Sequence, residues 1–146
     1  MSGGASHSAS SARVTALVQS AMQLMRDRRL DEAARAWNEV LSLSPENSQA
    51  LFFLGQYSMY SKDWPTARRM LQRAAQADPG NPAIPLNLSF VFRASGDVQS
   101  EMEALTRSLA IDPYFYPALL AKARTLERTG NVRAAAIVAI MIPLSL

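Results

Sequence analysis

Pro45, Pro79 and Pro113 stand 34 residues apart, and the residues at fixed offsets before them fall into one chemical class copy after copy. Eight residues before each proline come Trp37, Leu71 and Leu105. Twelve before come Ala33, Ala67 and Glu101, twenty-four before come Ala21, Gly55 and Ser89, and twenty-eight before come Leu17, Leu51 and Pro85. Glu101 and Pro85 are the breaks, and the third copy is therefore the least regular. Leu119, Ala123, Leu126 and Ala135 continue the register into a fourth, shortened copy. A period of this length marks one supersecondary unit repeated along the chain.

The unit reads as a helical hairpin. Leu51, Leu54, Gly55 and Ser58 follow i, i+3, i+4, i+7, one stripe of a helix, and Ala67, Met70, Leu71 and Ala74 make a facing stripe on the next. Gly96-Asp97 and Gly130-Asn131 separate the two helices of the later copies, the glycine ending one helix in a left-handed conformation and the Asp or Asn capping the next. Ser61-Lys62-Asp63 fills the same slot in the second copy, with Pro65 in the following first turn. One such hairpin cannot bury its apolar faces alone. The predicted fold is therefore all-α, a right-handed superhelical solenoid of helix-turn-helix hairpins with about three full repeats and a partial fourth.

Leu51, Leu54 and Gly55, then Ala67, Leu71 and Pro79, resemble the tetratricopeptide repeat, whose pattern is a large residue, Leu-Gly, an aromatic, Ala, an aromatic and Pro. The resemblance covers residues 14 to 142, with repeats near 14–47, 48–81, 82–115 and 116–142. Ser58, Pro85 and Glu101 depart from it.

Composition bounds the rest. Over 146 residues, 49% hydrophobic and 18% charged describe an ordinary globular domain. No cysteine is present, which excludes disulfides and thiolate metal sites and fits a cytoplasmic setting. Residues 1–12 carry neither an apolar run nor a basic flank, so they read as a disordered Ser/Gly/Ala tail rather than a signal or anchor. A domain over 13–142 and a short tail at 143–146 complete the division. The net charge of +3 is carried almost wholly by arginine, Lys62 and Lys122 being the only lysines. Acidic residues such as Asp27, Asp31, Glu32 and Glu127 interrupt the basic clusters, so no continuous nucleic-acid stripe forms.

Chemistry-bearing residues are sparse. The single histidine, His7, lies in the tail, which leaves no triad, no two-histidine metal site and no imidazole acid–base pair. Glu101 and Glu103 are two apart and point to different faces of a helix. Asp78 and Asp112 precede prolines and read as helix ends, and Asn87-Leu88-Ser89 falls mid-helix, where the glycosylation pattern is chance. The chain reads as a non-catalytic protein with no cofactor and no metal.

What remains is binding. Beside the packing stripe, the first helices carry a second stripe: Val18, Met22 and Met25, then Phe52, Gln56, Met59 and neighbouring Tyr60, then Leu86, Phe90 and Arg93, with Leu120, Arg124 and Glu127 in the fourth copy. The tetratricopeptide resemblance implies that this stripe lines a concave peptide-binding groove, apolar toward its N-terminal end and basic toward Arg93 and Arg124. Val18, Phe52 and Leu86 are equally compatible with simple packing between first helices. The Lys and Asn with which one variant of the family grips a C-terminal carboxylate are missing, since Val18, Met22 and Phe53 stand there. The expected partner is a protein segment or helix with apolar anchors and an acidic flank.

Ala134 to Ile142 is an unbroken apolar run, well short of the roughly twenty residues of a membrane span. Ile137, Ile140 and Met141 offer an association surface. Homodimer pairing, a further domain and a folded-back tail all account for it. A narrower phrase, Ile111-Asp112-Pro113-Tyr114-Phe115-Tyr116-Pro117-Ala118-Leu119-Leu120-Ala121-Lys122 followed by Leu126-Glu127-Arg128-Thr129-Gly130, resembles the repeat region of bacterial aspartyl/asparaginyl β-hydroxylase-like proteins. It implies, as the alternative function, a recognition domain of a larger iron and 2-oxoglutarate enzyme whose iron-binding histidines would lie elsewhere.

Overall fold

The computed structural model describes residues 3–144, and residues 1–2 and 145–146 of the two expected tails lie outside them. Helices α1 (Gly3–Arg26), α2 (Leu30–Leu43), α3 (Ser48–Tyr60), α4 (Trp64–Ala77), α5 (Ala83–Ala94), α6 (Val98–Ile111), α7 (Tyr116–Arg128) and α8 (Val132–Ile140) make up the architecture, with no strand among the described residues. They pair as successive hairpins, α1 with α2 through α7 with α8. The chain forms two compact units, Met1–Ala77 with α1 to α4 and Asp78–Leu146 with α5 to α8.

The turns inside the hairpins repeat the sequence period. Arg28, Lys62, Gly96 and Gly130 all have positive φ, at 59°, 60°, 73° and 85°. A left-handed residue at this place closes the first helix and turns the chain back on itself. Glycine takes that conformation freely, whereas Arg28 and Lys62 hold it against their own Cβ. One residue on, Asp63, Asp97 and Asn131 accept hydrogen bonds from the backbone N–H groups of Thr66, Ser100 and Ala134 at 3.3, 3.1 and 3.2 Å. Arg29 occupies that place in the first hairpin and makes no such cap.

In the first unit, α2 packs on α3 around Trp37, Val40, Ala50, Phe53 and Leu54, with Ala21 and Ala33 giving the close approach of α1. The Trp37 and Phe53 rings lie 6.2 Å apart at 33°. Trp37 Nε1 donates to Met25 Sδ at 3.3 Å, so the indole has its polar partner inside the hairpin. Gly55 sits over Leu71, where a Cβ would come within 2.7 Å of Leu71 Cγ. That contact explains the small residue of the sequence pattern. The Tyr57 hydroxyl donates to Asp31 on α2, and this bond to the carboxylate raises the phenol's pKa above its ordinary value. Arg73 Nη2 closes the loop after α2 by donating to the Pro45 carbonyl at 2.7 Å.

In the second unit, Leu86, Leu105 and Ala118 form one cluster of the core, flanked by Met102, Leu109, Phe115 and Ala121, and Ile84, Leu88, Val91 and Leu119 are buried as well. Ser108 Oγ donates to the Pro82 carbonyl at 2.7 Å, fastening α6 to the start of α5.

Residues 3–12 differ from the disordered tail expected from sequence, for they form the first turns of α1. Alanine has the highest helix propensity, and extending a nucleated helix adds one hydrogen bond per residue fixed.

Candidate peptide-binding surface

On α1, Val18 is half-buried against the core, while Met22 and Met25 are exposed. Met25 is also held, since its sulfur receives the Trp37 indole. On α3, Phe52 and Met59 are half-buried, Gln56 is exposed, and Tyr60 stands 84% exposed at the helix end. The first unit therefore presents methionine and aromatic surface on its first helices, backed by a rigid aromatic core. Flexible thioether chains over a fixed floor suit a surface that adapts to what it contacts.

The second unit corrects one assignment and adds a pocket. Leu86 does not line a surface. At 7% exposure it belongs to the core with Leu105 and Ala118, because this stretch of α5 faces α6 and α7. Phe90, one turn on, is 39% exposed. Phe90, Arg93, Tyr116, Leu120 and Arg124 line a pocket of about 270 Å³ whose wall also includes Glu101 and Thr125. Two residues of α5 and two of α7 from the second stripe thus share one concavity, with Tyr116 and Pro117 joining from the start of α7.

Glu101 is the residue that sequence reasoning passed over as an irregularity. Its side chain is almost wholly buried and bonded twice from α7: Arg128 Nη2 donates to Oε2 at 2.6 Å, and the Thr125 hydroxyl lies 2.7 Å from Oε1 and 2.9 Å from the Ala121 carbonyl. A buried carboxylate needs such partners. The signal was present in the repeat register. Ala33 and Ala67 have Tyr57 and Val91 twenty-four residues on, and Tyr60 and Ala94 twenty-seven on, where Glu101 has Thr125 and Arg128. Three departures that occur together are one interaction.

No described helix is long and apolar enough to cross a membrane, and among the described residues no three His, Asp or Glu gather into a metal-holding set.

A tetratricopeptide repeat profile matches residues 18–82 and 57–114, which together span most of α1 to α6. The chain belongs to the tetratricopeptide repeat family. The peroxisomal targeting signal receptor of Yarrowia lipolytica is 32% identical over 104 residues, covering 70% of this chain and 17% of that protein. Among solved structures, a mutant O-GlcNAc transferase of Thermobaculum terrenum superposes with a TM-score of 0.80 at 30% identity, over 89% of this chain and 25% of its own. The protein named MamA reaches 0.80 at 20% identity, over 88% of this chain and 75% of its own, a likeness of fold. This tetratricopeptide chain thus spans a small part of the receptor and the transferase, and its all-α hairpin fold is that of protein-interaction modules.

Proposed function

We propose that this tetratricopeptide chain is a non-catalytic, cytoplasmic interaction module that binds a segment of a partner polypeptide on the first-helix faces of its hairpins. The observation that carries the reading is the exposure of Met22 on α1 and of Phe90 on α5, which stand two repeat periods apart at one register, with Tyr60 also exposed at the end of α3. Large apolar side chains at fixed spacing on exposed faces mark association surfaces. The receptor of Yarrowia lipolytica is named for a targeting signal, which lends the reading a related precedent. None of the relatives named above is a hydroxylase, and the reading as an accessory domain of a hydroxylase-like enzyme gains no support from them.

A crosslinking pull-down from source lysate, with Met59→Glu as the control, tests the proposal. Partners captured by the wild-type chain should fall at least tenfold with the variant, since a charge would be desolvated in the contact. Capture that is equal for both would remove α3 from the binding surface.

A second reading concerns α8. Ile137, Ile140 and Met141 are 60%, 83% and 49% exposed, and the residues 34 positions earlier are Glu103, Thr106 and Arg107, with Arg69, Gln72 and Arg73 before them. Only the last copy is apolar on this face. We propose that it pairs with the same face of a second chain. Sedimentation equilibrium should find a dimer for the wild-type chain and a monomer for Ile137→Glu/Ile140→Glu; a monomer for both would dismiss the pairing.

A further inference from the structure

We propose that the pocket of the second unit reads an internal acidic side chain of the bound segment, seated beside an aromatic or aliphatic one; the inference rests on the peptide-binding reading above and names its ligand. Arg93 and Arg124 both line the pocket, one from α5 and one from α7. Among the described residues neither guanidinium has a hydrogen-bond or ion-pair partner. Arg13, Arg29, Arg73 and Arg128, by contrast, are engaged, with Glu39, Glu32, Pro45 and Glu101.

A carboxylate in the pocket wall would ordinarily cancel this charge. Glu101 does not, because Arg128 takes its Oε2 and Thr125 its Oε1. The wall's negative charge is already matched, and the two unpaired guanidiniums set the sign of the site. A planar guanidinium matches a carboxylate with two parallel N–H donors, so a pair of them on one concavity selects Asp or Glu over amide side chains. Phe90, Tyr116 and Leu120 supply the adjoining apolar wall. At about 270 Å³ the pocket holds one or two side chains rather than a folded surface. Single-stranded nucleic acid is the other anionic polymer with flat apolar groups. It needs a basic track that continues along the protein, whereas here the charge is confined to two residues.

The test uses the full chain and an array of random decapeptides tethered through their C-termini, which removes the terminal carboxylate as a source of charge. Wild-type protein should select peptides enriched severalfold in Asp or Glu near a Phe, Tyr, Leu or Met. Arg93→Glu/Arg124→Glu should reverse the preference to Lys and Arg, while Arg107→Glu, on the outer side of α6, should leave it unchanged. Both altered positions are exposed, and an unchanged helical circular dichroism spectrum checks that the variants fold. Selection of apolar peptides regardless of flanking charge, or the same flanking charge for wild type and double variant, would overturn this inference alone. Binding only to peptides free at the C-terminus, or to an oligouridylate in an arginine-dependent way without peptide binding, would overturn it in favour of those ligands. No selection of any peptide would overturn both this inference and the wider reading.

Discussion

Trp37→Ala should lower the stability of the first unit by about 3–5 kcal/mol, the range for removing a large aromatic from a packed interior. The indole is 2% exposed and touches the Phe53 ring, which in turn lies 6.1 Å from the Tyr57 ring at 20°. Losing it opens a cavity where α2 meets α3 and leaves Met25 without the N–H it accepts. A hairpin repeat has no other element with which to fill that space, since its contacts run only to neighbours. Urea unfolding followed by circular dichroism measures the effect, with a Trp37→Phe variant recovering much of the loss. A midpoint for Trp37→Ala within error of wild type would mean that the ring is not the centre of this core.

Arg128→Ala should cost about 2–3 kcal/mol, and Glu101→Ala, its own partner, only about 1 kcal/mol. The asymmetry follows from what each truncation leaves behind. Without Arg128, a carboxylate that is almost fully buried loses its counter-charge and keeps only the Thr125 hydroxyl. Without Glu101, Arg128, whose side chain is 35% exposed, turns to water, and Thr125 keeps the Ala121 carbonyl. Alanine is moreover what stands at this register in Ala33, Ala67 and Ala135, each buried. The double variant should match Glu101→Ala, because no charge is then stranded. Equal losses for the two single variants in urea titrations would show that the pair acts through packing rather than charge.

Much of the fold was legible before any coordinates. The 34-residue register placed Gly55 against the stripe of Leu71, and the Gly96-Asp97 and Gly130-Asn131 pairs announced their turns, because glycine and short polar caps have few other uses at helix ends. The turn at Arg28 was not announced, since nothing in an arginine's chemistry asks for positive φ; only the period points there. At the surface, periodicity named Phe90, Arg93 and Arg124, which do share a pocket, yet also named Leu86, which the core claims. A helical stripe fixes direction around one helix and says nothing of how deeply a neighbour covers it. Glu101 was missed for the same reason, because its partners belong to the next hairpin.

The Glu101–Arg128 bond also makes the hairpins non-interchangeable. In a chain of copies with like-for-like contacts, any hairpin could follow any other, and recombination between copies would be silent. Here the fourth carries an arginine that only the third can receive, so the order of the last two is written into their junction as a lock and its key.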